Sequence, residues 1–144
     1  MGSGDDSSPI EGPQTAYVRP VSEWVEPTCT IASVWQTSGA SLLELFRSAE
    51  PALADRRTFI EAVVDWLGTH MHVIEQWSAY SDDKRTSPSP YFHRPQDGHT
   101  VCEVGFFDAG DGRMDVRQHS DAAMACADFL YREATWVLRR ERVM

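Results

Sequence analysis

The stretch from Thr100 to Arg142 constrains the fold most, because its pattern predicts a strand, a glycine-rich turn, a second strand and a helix in direct succession. Side chains alternate between the two faces of a strand, so residues at every second position share a face. This alternation predicts strands at Val101–Phe107 and Arg113–Gln118. The residues that it assigns to packed faces are Cys102, Val104 and Phe106 in the first strand and Met114 and Val116 in the second.

The segment between these strands, Asp108 to Gly112, has the composition of a hairpin loop, since glycine adopts positive φ at little cost. Asp108 and Asp111 in this segment, with Asp115 shortly after it, could suggest a calcium-binding loop. An EF-hand loop needs oxygen ligands at regular alternate positions and a closing Glu, and this segment has neither. We therefore expect a solvated hairpin tip.

A helix is predicted to follow the second strand. Ser120 or Asp121 can cap it by accepting a hydrogen bond from a backbone N–H group, and arginines near its end complement the helix dipole. Apolar residues recur at helical spacing and form one stripe. The stripe contains Ala123, Cys126, Ala127, Leu130, Ala134, Val137 and Leu138, and Phe129 and Trp136 widen it.

Two further helices are predicted upstream. Ser41 followed by Glu44 is a capping-box pattern that precedes a short apolar segment, Leu42 to Phe46. The segment Arg56–Leu67 has helical periodicity, and Gly68 is a suitable residue to end it. Its predicted buried stripe consists of Phe59, Ile60, Val63, Val64 and Leu67.

Alternation and β-prone residues predict three further strands, at Thr28–Thr37, His70–Tyr80 and Tyr91–His93. Consecutive strands joined by short polar loops favour antiparallel pairing. The predicted fold class is α+β, with a largely antiparallel sheet of about four to five strands and two main amphipathic helices packed on one face. Residues 1–16 are expected to form a flexible acidic leader, and residues 17–144 a single α+β domain.

The chain is acidic, with 22 Asp and Glu against 13 Lys and Arg and a formal net charge of −9. This charge disfavours nucleic-acid binding, which requires cations to replace the counterions around phosphate. It favours either basic protein partners or simply solubility, and solubility is the commoner explanation. No apolar run is long enough to cross a membrane, so we expect no membrane association.

The three cysteines, Cys29, Cys102 and Cys126, are widely spaced and lie in apolar patterns. An odd count without close pairs indicates buried reduced thiols and therefore a cytoplasmic protein. The spacing is not that of a zinc site, and no phosphate-binding or dinucleotide-binding motif is present. We expect no cofactor.

His70 and His72 are the best candidates for metal ligands. On the predicted strand, two residues apart, they would project from the same face and could share a metal ion. A third ligand would have to come from His93, His99 or Glu75 by tertiary proximity, which the spacing does not require.

No nucleophile stands out for catalysis. The sequence has no Gly-x-Ser-x-Gly motif, and a thiol on a buried face is unreactive. Carboxylate pairs for acid–base chemistry cannot be chosen among so many acids without geometry. We therefore lean towards a protein without catalytic activity.

In its general character (small, acidic, α+β and free of catalytic motifs) the chain resembles the immunity proteins of bacterial polymorphic toxin systems. This resemblance implies a protein that binds and neutralises a cognate toxin. Aromatic residues next to prolines, together with acids, are the surface candidates, since aromatic anchors and complementary charge favour docking. The candidate partner-binding residues are Trp24, Glu26, Tyr91, Asp108, Asp111 and Asp115.

Two alternatives remain open on the sequence. One is a dimeric chaperone or adaptor for a secreted partner, and the other is a small enzyme that uses a histidine-containing pocket on the sheet. The sequence does not determine the oligomeric state.

Overall fold

A computed structural model of the chain describes residues 21–83, 88–95 and 101–143, without the side chains of the two residues at its start and of the last four. The predicted leader at residues 1–16 lies outside these residues. In the described part, α+β architecture is confirmed.

Helices form the first half of the described chain, three strands follow, and a long helix ends it. The α-helices are α1 (Val21–Cys29), α2 (Ile31–Val34), α3 (Leu42–Phe46), α4 (Arg56–Leu67), α5 (His72–Asp83) and α6 (Ala122–Val143), with a 3₁₀ helix at Arg47–Ala54 between α3 and α4. The strands are β1 (Ser89–His93), β2 (Cys102–Asp108) and β3 (Gly112–His119).

The predicted helix at α3 is confirmed together with its cap, because the Ser41 side chain accepts from the backbone N–H of Glu44 and the Glu44 side chain accepts from that of Ser41. At α4 the helix is also confirmed, and Asp55 caps its first turn. Of the predicted buried stripe, Val64 is only partly buried and the other four residues are buried. Asp121 caps α6 by accepting from the N–H groups of Ala123 and Met124.

Two predicted strands are wrong, because Thr28–Thr37 and His70–Tyr80 belong mostly to helices. In α5 the buried residues Val73, Ile74, Trp77 and Tyr80 follow one another at intervals of one, three and three positions, which is the spacing of one helix face. β-Branched and aromatic residues suggested strands here, but the burial period of about 3.6 residues decides between the two structures.

The sheet of the described chain has three strands in the order β1-β2-β3, with both pairs antiparallel. The expectation of four to five strands is therefore wrong, although the three strands from Tyr91 onward lie where alternation placed them. The expectation that two main helices pack on one face of the sheet is also wrong. The sheet packs against α6, while α4 packs mainly against α6 rather than on the sheet.

A β-bulge interrupts the pairing of β2 and β3. Val104 pairs with Arg117 and Phe106 with Met114, so Gly105 alone lies opposite both Asp115 and Val116. Asp115 has a φ of 53°, which a non-glycine residue rarely adopts. At this bulge the Val116 side chain, which alternation assigned to a packed face, is 43% exposed.

The core lies between α6 and the elements around it. Phe129 of α6 is fully buried, and its ring lies 5.9 Å from both Trp77 and Phe92 and 6.2 Å from Tyr80. The apolar stripe predicted for α6 is buried along its whole length. Two of these contacts are edge to face and that with Phe92 is stacked, and both kinds add to the free energy of burial.

Helix α5 covers the free edge of β1, where Ser81 accepts a hydrogen bond from the backbone N–H of Phe92 at 2.8 Å. Arg94, just after β1, also pairs with Glu75 of α5. On the face of the sheet opposite α6, Phe107 is 40% exposed and Tyr91 and Glu103 are partly exposed.

Candidate functional site

The outer sheet face, defined here as Tyr91, Glu103, Gly105, Phe107 and Arg113, lies on the side of the sheet away from α6. Phe107 is 40% exposed, and the Arg113 side chain is 64% exposed. This face therefore presents aromatic and charged side chains to solvent at the same time.

Three side chains on this face form one polar cluster. The Tyr91 hydroxyl donates a hydrogen bond to the Glu103 carboxylate, and Arg113 Nη1 donates to the same carboxylate at 3.1 Å. The Arg113 guanidinium also lies 5.6 Å from the centre of the Tyr91 ring. Each member is held by two contacts, so the cluster is oriented before any partner arrives.

The cluster depends on a residue without a side chain. A Cβ atom at Gly105 would lie 2.8 Å from the Tyr91 hydroxyl oxygen and 2.9 Å from two ring carbons. Tyr91 thus lies flat across Gly105. Burial, with the hydrogen bond to Glu103 and the charge of that carboxylate, raises the pKa of Tyr91 to about 12.

Trp24, predicted to be exposed, is instead 1% exposed and its ring stacks on Phe59 at 4.9 Å. The expectation that it is a surface anchor is wrong. The proline-containing segment around it forms α1, which turns Trp24 and Val25 inward. Glu26, on the same helix, is exposed as expected.

The hairpin acids lie beside the outer sheet face. Asp108 accepts a hydrogen bond from the backbone N–H of Gly110 at 2.8 Å, which shapes the turn, and Asp111 is exposed at the tip. Asp115 is exposed at the bulge, and its backbone carbonyl accepts from Arg132 Nη1 at 2.9 Å. Of the six candidates, only Asp108 and Asp111 lie close together, in the hairpin, whereas Tyr91 pairs with Gly105 in the middle of β2.

The histidine pair does not have the geometry that the predicted strand implied. His70 precedes α5, stacks on Trp66 with ring centres 3.7 Å apart, and places Nδ1 2.8 Å from the Trp66 carbonyl oxygen. Its ring centre lies 6.5 Å from that of His72. In the described ranges, no group of three or more His, Cys, Asp or Glu residues converges as a metal site. His99 lies outside them.

The three thiols are free and buried, as predicted. Burial, with a smaller effect from the charge of Glu26, raises the pKa of Cys29 to about 12. Burial likewise raises the pKa of Cys102 and of Cys126. Because the thiolate is the nucleophile, these groups are poorly suited to covalent chemistry.

Sequence reasoning missed a buried carboxylate that gathers three cationic or polar groups. Asp128 of α6 is 1% exposed, and its Oδ1 atom accepts from Arg56 Nη2 at 3.1 Å and from Arg132 Nε at 3.0 Å. Its Oδ2 atom lies 2.9 Å from His119 Nε2. The sequence did contain a signal for this cluster. Asp128 is the one acid in the otherwise apolar run Ala125–Leu130, and Arg132 follows it by four residues.

The environment of Asp128 favours its ionised form. Burial opposes ionisation, but the hydrogen bond from His119 and the charges of Arg132 and Arg56 outweigh it, so the pKa of Asp128 lies below its ordinary value of 3.8. The carboxylate is a structural counterion that joins α4, β3 and α6.

The chain matches no protein-family model, no curated protein and no solved structure. No helix in the described ranges, α6 included, combines the length and the apolar character needed to span a membrane. Function must therefore be argued from the geometry of the molecule.

Proposed function

We propose that this protein acts by binding another protein, as an immunity-type protein that neutralises a cognate toxin, and that the outer sheet face is its contact surface. The observation that supports this most is the exposure of Phe107 beside the preassembled cluster of Tyr91, Glu103 and Arg113. Exposed aromatic residues next to oriented arginines are typical of the residues that dominate binding energy in protein interfaces.

The charge of the molecule supports a basic partner. The net charge is −9, and Asp108 and Asp111 stand at the hairpin tip next to the outer sheet face. A basic protein would be steered towards this surface, because complementary charge accelerates encounter. Phe107 and Tyr91 would then supply the apolar contact.

The experiment has two stages. Tagged protein is recovered from its native host, and any stoichiometric partner is identified and then produced for calorimetric titration with purified variants. Phe107→Ala should weaken binding by about 2 kcal/mol, or about thirtyfold in Kd, because a central aromatic anchor is lost. Asp111→Lys should slow association and reduce its dependence on salt.

Met71→Ala is the matched control, because Met71 is 50% exposed but precedes α5 rather than lying on the sheet. It should leave the affinity unchanged. Light scattering of the purified protein tests the main rival. A stable self-dimer whose formation depends on Phe107 would replace this proposal with the chaperone or adaptor reading. An affinity that neither sheet variant alters would reject the outer sheet face.

A further inference from the structure

A groove of about 510 Å³ lies on the opposite side of β3 from the outer sheet face, between the β-bulge and α6. Its volume falls within the range of small-molecule binding sites. Arg56, Arg117 and Arg132 line it together with a single exposed carboxylate, that of Asp115. In a chain with a net charge of −9, this concentration of arginine is unusual.

Two of the three arginines are held in place by the buried Asp128. Arg132 donates to Asp128 through Nε and to the Asp115 carbonyl through Nη1, and Arg56 donates to Asp128 through Nη2. A guanidinium carries five N–H donors, so both groups keep donors for another acceptor. Arg117 has no hydrogen bond or ion pair within the described ranges. The groove thus presents oriented and unused donors together.

The remaining wall of the groove is apolar and aromatic. Phe106 and Trp136 meet edge to face with ring centres 5.1 Å apart, and Tyr131 and Val116 extend this wall. Thr135 Oγ1 and Trp136 Nε1 are buried, and neither has a hydrogen-bond partner in the described chain. Both atoms are closed off from solvent, so this wall offers an occupant apolar contacts rather than hydrogen bonds.

We propose that this groove binds a small organic anion, with a carboxylate or phosphate group against the arginines and a flat apolar body against Phe106, Trp136 and Tyr131. Arginine recognises both anions through paired N–H donors, which is why the headgroup chemistry is shared. A polyanion such as nucleic acid does not fit, because the rest of the molecule repels it. This site is separate from the outer sheet face, so either proposal can fail without the other.

The test uses three probes of nearly the same shape: phenylacetate, phenyl phosphate and the neutral phenylacetamide. Each is titrated into the full-length protein while the ¹H–¹⁵N spectrum is recorded. The indole N–H signal of Trp136 is assigned by its loss in the Trp136→Phe variant. The two anions should shift this signal saturably, and phenylacetamide should bind at least about tenfold more weakly, because a hydrogen bond to a charged group is lost. The stronger of the two anions identifies the headgroup.

The decisive variant is Arg117→Gln, since the Arg117 side chain is exposed and its replacement disturbs no described contact. It should weaken binding of both anions about tenfold. Arg57→Gln is the matched control. Arg57 is an exposed arginine that follows Arg56 in the chain, and its side chain pairs with Glu61. It should leave binding unchanged. Absence of saturable shifts, equal binding of phenylacetamide, or Arg117→Gln within twofold of the parent protein would each overturn the proposal.

Discussion

Replacement of Asp128 by Asn tests whether the buried carboxylate joins α4, β3 and α6. The change keeps the volume of the side chain but removes the charge that two arginines share. Asp128 is 1% exposed, whereas the side chains of Arg56 and Arg132 are 44% and 19% exposed. Loss of one partner from a fully buried ion pair costs about 3–5 kcal/mol. Because both guanidiniums can regain water, we expect a smaller loss of about 2 kcal/mol.

The assays are urea unfolding and thermal unfolding, both followed by circular dichroism at pH 7. For a chain of this length, a loss of about 2 kcal/mol corresponds to a fall in Tm of roughly 6 °C. Asp65→Asn is the matched control, since Asp65 is an exposed carboxylate on α4. It should change the free energy of unfolding by less than about 0.5 kcal/mol. A loss below about 1 kcal/mol for Asp128→Asn would show that the carboxylate is not a structural counterion.

The same pair of proteins makes a pH prediction. The pKa of Asp128 in the folded protein lies below its ordinary value of 3.8, so its stabilising contribution is complete above that value. As the pH falls through the folded pKa, the carboxylate is protonated in both states and the contribution disappears. The difference in stability between the parent protein and Asp128→Asn should therefore shrink as the pH falls below about 4.

Two further predictions concern the thiols and the outer sheet face. Ellman's reagent at pH 8 should label none of the three cysteines of the native protein within minutes and all three after unfolding. The reason is that all three are buried and that a pKa of about 12 leaves almost no thiolate at Cys29. Rapid labelling of the native protein would contradict the buried placement. Gly105→Ala should destabilise the protein by about 1–3 kcal/mol, because the new methyl group must displace the Tyr91 ring. It should also lower the pKa of Tyr91 towards 10, which absorbance at 295 nm measures. Gly110→Ala, where the nearest atom is 3.5 Å away, is its control, and equal effects of the two substitutions would refute the packing argument.

Local patterns were sufficient where one element decides its own structure. The capping box of α3, the stripe of α4, the hairpin from β2 to β3 and the helix α6 all follow from residues close together in the chain. In each case one hydrophobic period or one helix cap favours a single type of secondary structure over the others. The α+β class and the buried thiols follow from the same patterns.

Local patterns failed where apolar residues are dense and compatible with two periods. Valine, isoleucine and tryptophan in α5 favour strands by composition, and only burial against α6 and β1 selects the helical face. The same argument applies to Trp24, whose aromatic ring next to Pro27 suggested exposure. Packing on Phe59 turned it inward.

The sequence by itself determined the charge, the capped helices and the alternating strands, because these depend on neighbours within a few positions. Only the tertiary structure decided that Arg56, His119 and Arg132 meet at Asp128 and that Tyr91 lies over Gly105. The partners in these contacts lie up to 72 positions apart. Such contacts have no local signature, because the free energy that forms them comes from burying whole elements against one another.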